Sequence, residues 1–187
     1  MKNVIGLVGQ IDEEIVTRFL GETDEILDAY CEYLEQKEMV KDEFIQPFPS
    51  ITIEISSSGG DIHYGSAILD RIEEMQMMGI KIDTMARGLC YSMAFIIFLM
   101  GEERCAGRWT TFMNHASASN QMGYLEDIRN NIEFLQKMDE KFEGLILEKT
   151  KMSKERLINA RLKCDWIDYS QAIELGIINI FDSEEKE

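Results

Sequence analysis

Short β-branched or apolar runs along this chain are separated by longer stretches whose apolar residues recur at helical spacing. NVIGLVG (3–9) predicts a first strand, and Asp12 to Glu38 a long acidic helix with a break near Gly21. A loop, VKDEFIQPFPS, carries Pro47 and Pro49 and leads into ITIEIS (51–56), a β-branched run ending in the turn cluster SSSGGD. From Ile62 to Met78, Ile62, Ala67, Ile68, Ile72 and Met75 form a helical stripe. IKIDTMA reads as the next strand, GLCY as a turn, and TTFMNHA as a strand ending near His115. A long amphipathic helix is predicted over Tyr124 to Lys149, with Ile128, Ile132, Leu135, Met138 and Phe142 as its seam. A short helix from Ser153, another from Asp168 and a last strand, IINIFD, complete the pattern. Strand and helix alternate without internal repeat, which predicts an α/β fold with a mainly parallel sheet.

Composition narrows what such a fold can do. With 187 residues, 45% of them hydrophobic and 29% charged, the chain reads as a single globular domain over 1–187. The formal charge of −16 disfavours a nucleic-acid partner, because phosphate binding rests on Lys and Arg. Cys31, Cys90, Cys105 and Cys164 show no paired metal-ligand spacing and there are 2 histidines, so neither a metal nor a cofactor is expected. The N-terminus lacks the features of a signal peptide. The longest apolar run, SMAFIIFLMG, is about half of what a membrane span needs. The expectation is a cytoplasmic protein with no membrane partner.

Two short motifs could carry chemistry. In SSSGGD, adjacent glycines between strand and helix let the backbone approach a ligand with its N–H groups outward. No Gly-Lys-Ser/Thr follows, so this is not a P-loop. In GLCYSMAFI (88–96), Ser92 stands between a turn and an apolar run. It is read either as an ordinary N-cap or as a nucleophile exposed at a helix start. A serine nucleophile needs a base, and the chain offers His63, in a polar helix, and His115, at the end of a strand.

Taken together and in order, these pieces resemble the ClpP family of self-compartmentalising serine peptidases. The family's glycine turn, Asn-Ser-Pro-Gly-Gly, corresponds to Ser56-Ser57-Ser58-Gly59-Gly60, followed by matching Gly65 and Asp70. Its nucleophile segment, Gly-x-Ala-Ala-Ser-Met-Gly, corresponds to Gly88 through Ala94, its histidine to His115 in FMNHA, and its Ala-x-Glu-x-Gly-Leu-Ile/Val end to Ala172 through Ile178. The resemblance runs from Val4 to Phe181. It implies a crotonase/ClpP-like α/β fold of stacked βαβ units, assembled as a homo-oligomer: a heptameric ring or a double ring. It also implies a serine endopeptidase acting on peptides or unfolded proteins, with Ser92 as nucleophile and His115 as general base. The backbone N–H groups of Gly60 and Met93 would then form the oxyanion hole.

The departures are specific. Ala94 replaces a glycine, Tyr91 a small residue, and Ala116-Ser117 the usual Gln-Pro. The chain begins almost at the first strand, so the axial segment of typical members is expected to be absent, and dependence on a Clp-type ATPase to be weakened. The family's orienting acid precedes an aromatic by two residues. Stepping back from Gly176 puts Trp166 on the aromatic and Cys164 on the acid. Asp165, one position off, is the expected substitute, whereas Asp168 with Gln171 reads as a capping box opening the last helix. Two competing readings are a catalytically silent ClpP-like ring subunit and a crotonase-type acyl-CoA enzyme. The second of these accounts for neither Ser92 nor His115.

Overall fold

A computed structural model describes residues 3–40, 46–120, 122–160 and 162–181. Six strands form one sheet: β1 (Val4–Val8), β2 (Ile51–Ser57), β3 (Ile82–Tyr91), β4 (Arg104–Ala106), β5 (Thr111–Asn114) and β6 (Asp165–Ile167). The order is β1-β2-β3-β5-β6, with β4 also on β3, and every pairing is parallel except β5 with β6. The helices are α1 (Glu13–Val40), α2 (Ile62–Met77), α3 (Met93–Phe98), α4 (Leu125–Lys149), α5 (Lys154–Ala160) and α6 (Tyr169–Glu174). The mainly parallel α/β arrangement is thus present. No helix among the described residues is long and apolar enough to cross a membrane.

Local chemistry starts the helices where the pattern indicated. Asp61 caps α2, its Oδ1 accepting from the N–H groups of His63 (2.7 Å) and Tyr64 (3.3 Å). The stripe of α2 then buries Ile68, Ile72 and Met75. Asp168 opens α6 with a full capping box: its Oδ1 accepts from Gln171 N–H at 2.8 Å, and Gln171 Oε1 accepts from Asp168 N–H at 3.2 Å. α1 runs through Gly21 without the expected break; the buried row Phe19, Thr23, Ile26 and Tyr30 outweighs the roughly 1 kcal/mol that a helical glycine costs. Of the predicted loop before β2, residues 41–45 lie outside the described residues.

Three other boundaries differ from the sequence reading. GLCY is the end of β3, because Leu89, Cys90 and Tyr91 pair with Thr111, Phe112 and Met113 of β5. β3 is therefore shared: Thr84–Ala86 pairs with β4 and Leu89–Tyr91 with β5. β4 and β6 span three residues each, too short for a periodic signal. The predicted last strand does not form over 177–181, and Asp182 lies outside the described residues. Both Asn179 and Ile180 N–H groups converge on the single carbonyl of Arg104, which replaces a ladder.

Arg104 is the hub of this end of the molecule. Its buried guanidinium donates to the carbonyl oxygens of Ile177 (2.8 Å), Gly101 (3.1 Å), Lys149 (3.0 Å) and Gly176 (3.0 Å). It thereby ties the loop after α3 to the C-terminal ends of α4 and α6. Burial away from water pulls its pKa below the usual arginine value. Each buried acceptor left unpaired costs about 1–3 kcal/mol. Arg104→Met is therefore expected to lower unfolding stability by about 3 kcal/mol or more, read as a drop in the urea midpoint. Arg104→Lys should recover only part of it, since a point ammonium cannot reach all four carbonyls.

Candidate active site

The turn between β3 and α3 is strained at one residue. Ser92 has φ 54° and ψ −124°, the one non-glycine with positive φ among the described residues. A side chain in that region costs about 1–3 kcal/mol and persists only where its surroundings hold it. Here they do. The Ser92 N–H donates to Met113 O of β5 at 2.8 Å, and Ser92 O accepts from Phe95 and Ile96 at the start of α3. Every residue of α3 is buried.

That backbone turns the Ser92 side chain away from the helix. Its hydroxyl makes no capping hydrogen bond to α3. Instead Ser92 Oγ lies 2.8 Å from Nε2 of His115, one residue beyond the end of β5. The N-cap reading of this serine therefore does not describe its hydroxyl. His63 stands elsewhere, exposed and stacked on Phe134 of α4, with ring centroids 5.1 Å apart and planes 11° apart.

The glycine turn after β2 presses against the same place. A Cβ on Gly59, which has φ +86°, would meet Tyr91 O at 2.7 Å and Ser92 Cβ at 2.8 Å. A Cβ on Gly60 would meet Ile11 O at 2.2 Å. Ile11 bridges to this turn by donating to Gly59 O (2.9 Å) and accepting from Asp61 N–H (3.0 Å). Because those bonds use the residues flanking Gly60, the Gly60 N–H faces the other way. Neither that N–H nor the Met93 N–H, in the first turn of α3, donates in the hydrogen bonds described. Gly60, Ser92, Met93 and His115 all line one cavity of about 180 Å³. Its far side carries an apolar wall, from Ile96 of α3, Phe142 and Ile146 of α4, and Leu157 of α5, with Asp139 and Glu143 of α4 beside it. Tyr91 is turned away from it, its Oη 2.7 Å from Thr111 Oγ1 and its ring edge-on to Trp166.

The expected acid is in a different place. Asp165 lies opposite Asn114 in the antiparallel β5–β6 register. Its Oδ2 accepts from Arg156 Nε at 2.6 Å and its Oδ1 from Arg156 Nη2 at 2.9 Å. Among the described hydrogen bonds, none joins Asp165 to His115. Cys164, an exposed thiol, immediately precedes β6, and the pairing with β5 ends at Asn114 and Asp165. Two site residues had no signal in the sequence: Arg156, which holds Asp165, and Asp139 of α4, which accepts from Ser117 just after the histidine. No group of three or more His, Cys, Asp or Glu among the described residues could hold a metal ion.

The family model for Clp protease matches residues 17–184. Over 127 residues the chain is 28% identical to the ATP-dependent Clp protease proteolytic subunit 2 of Treponema pallidum; the match covers 67% of this chain and 62% of that protein. Over 155 residues it is 24% identical to the ATP-dependent Clp protease proteolytic subunits of Bacteroides fragilis and Bacteroides thetaiotaomicron, covering 82% of this chain. For the Bacteroides thetaiotaomicron protein the match covers 69% of its length.

The close approach at Gly59 makes a direct test of the turn. Gly59→Ala combines a left-handed backbone with contacts on backbone atoms that cannot swing aside. It is expected to destabilise the fold by at least about 1–3 kcal/mol, visible as a lower thermal midpoint.

Proposed function

The chain belongs to the Clp protease family, and from that membership and the geometry at Ser92 we propose that it is a serine-type endopeptidase acting on peptides or unfolded polypeptides. The observation that carries the reading is the 2.8 Å contact between Ser92 Oγ and His115 Nε2, made by a hydroxyl that the adjoining helix does not use. Ser92 Oγ attacks the scissile carbonyl as its proton passes to Nε2. The developing oxyanion accepts from the Gly60 and Met93 N–H groups, each such donor being worth about 3–4 kcal/mol in proteases of this kind. The imidazolium then gives its proton to the leaving amine, and water releases the acyl group by the same steps in reverse. The apolar wall of Ile96, Phe142, Ile146 and Leu157 suits an apolar side chain beside the scissile bond.

Assembly belongs to the same reading. α4 buries only Ile146 fully, leaving Leu125, Ile132 and Leu147 exposed on a helix with an apolar seam. A homo-oligomeric ring covers such a face and encloses the cavity. The chemistry at Ser92 uses no nucleotide, so short peptides are cleaved without ATP whether or not a Clp-type ATPase delivers longer chains.

A silent ring subunit is the competing reading, and the Arg156–Asp165 pair is the contact it would draw on. A fluorophosphonate separates the two. Covalent labelling at Ser92 is expected in the wild type and none in Ser92→Ala, together with loss of peptide cleavage; an unlabelled but folded wild type would overturn the peptidase reading. The Ala variant should keep its fold, since no cap is lost.

The role of Asp165 is testable separately. If its carboxylate serves Arg156, then Asp165→Asn and Arg156→Gln should each cost about 1–2 kcal/mol, the pair being only partly buried, with matching effects on turnover. An orienting acid would behave differently. Asp165→Asn would lose up to about 10⁴-fold in kcat while Arg156→Gln stayed near wild type.

A further inference from the structure

His115 has no carboxylate on its ring among the described hydrogen bonds, yet its Nε2 is aimed at Ser92 Oγ. Something else must hold the residue. On its N-terminal side stands β5, where Met113 and Asn114 are paired with Trp166 and Asp165, and Met113 O takes the Ser92 N–H. On its C-terminal side the chain leaves regular structure at once, and residues 115–120 form neither helix nor strand. One tie there is Ser117, whose N–H (3.1 Å) and Oγ (2.6 Å) both donate to Asp139 Oδ1.

We propose that Asp139 is a positioning residue for the catalytic histidine, acting through Ser117. The inference rests on the Ser92–His115 reading above. Asp139 stands on the face of α4 that also presents Phe142 and Ile146, at i+3 and i+7, to the cavity. One carboxylate oxygen therefore fastens the segment two residues after His115 to the helix forming the cavity wall. Hydrogen bonds to an ionised acceptor are about twice as strong as neutral ones. The device depends on the residue at 117: a proline there would offer neither the N–H nor the hydroxyl. With both flanks of His115 anchored, the imidazole keeps its aim through the backbone and not through an acid on Nδ1.

The test compares initial rates of fluorophosphonate labelling and peptide cleavage in four variants. Asp139→Ala is expected to slow both by about 10- to 100-fold, the scale of loss from a small misplacement of a reacting group, with the effect in kcat and little change in KM. Asp139→Asn keeps an oxygen that can accept from Ser117 and should retain activity within a few-fold of wild type. Ser117→Ala keeps the N–H bond and should fall between. The double variant Asp139→Ala/Ser117→Ala should be no slower than Asp139→Ala alone, because the two residues act through one contact. Wild-type rates in Asp139→Ala would overturn the proposal. So would equal losses in Asp139→Ala and Asp139→Asn, which would assign the effect to charge, or losses that multiply in the double variant. If Asp139→Ala does not fold, the order wild type, Asp139→Asn, Ser117→Ala decides in its place, and Ser117→Ala at the wild-type rate overturns the proposal. If the wild type itself is not labelled, the peptidase reading fails and the contact is judged by amide exchange at Ser117. Faster exchange in Asp139→Ala supports the latch, and unchanged exchange overturns it.

Discussion

Two tight turns at the end of the sheet, Gly59–Gly60 after β2 and Tyr91–Met93 after β3, touch through their backbones, and the site follows from that contact. Positions 59 and 60 have no room for a Cβ: one would strike Tyr91 O and Ser92 Cβ, the other Ile11 O. Glycine at both lets main chain meet main chain, as van der Waals packing against a neighbouring carbonyl requires. The same approach brings two N–H groups that donate in none of the described hydrogen bonds, from Gly60 and Met93, to the cavity where Ser92 projects. Gly65 extends the contact, since a Cβ there would overlap the Met93 side chain at 2.2 Å. The placing of both groups at the cavity is thus a by-product of how closely two strands' ends can pack.

Strain at Ser92 is supported from three directions. β5 takes its N–H, α3 takes its carbonyl, and the glycine turn closes the remaining side. The fully buried α3 supplies the energy: Phe95 and Phe98 pack on Phe112 of β5, with centroids 6.2 and 5.1 Å apart. Moving the serine to a relaxed φ would displace that helix from the core. At the opposite end Arg104 fixes where α4 stops, through Lys149 O, and so where the apolar wall of the cavity stands. Floor and wall of the site are held by different interactions, one steric and one electrostatic.

Most of the framework was legible because it is periodic. The stripes of α2 and α4, the β-branched run of β2 and the capping box at Asp168 follow from spacing and side-chain chemistry alone. What was missed is short or aperiodic. β4 and β6 have three residues each, and β3 continues through Gly88, which in isolation reads as a turn. The placing of Asp165 shows the physical limit most clearly. A slip of one residue is harmless in a loop, which can rotate to compensate. In a strand it sends the side chain to the opposite face. Because 165–167 is a strand paired with β5, Asp165 is fixed opposite Asn114 and its carboxylate is turned to Arg156. Nothing in the spacing of Arg156 or Asp139 marked either as a partner, since both contacts join separate elements.

The polar contacts around the cavity divide by what they hold. Asp165 and Arg156 join β6 to α5, the helix that gives Leu157 to the apolar wall. Asp139 and Ser117 join α4 to the segment after His115. Neither pair includes Ser92 or His115, and each fastens a helix that lines the cavity. In a triad an acid grips the imidazole itself and also stabilises the charge that forms on it. A backbone anchored on both flanks can supply the first of these, orientation, but not the second. What the structure supplies at His115 is a backbone held on both sides, by β6 before it and by Asp139 after it.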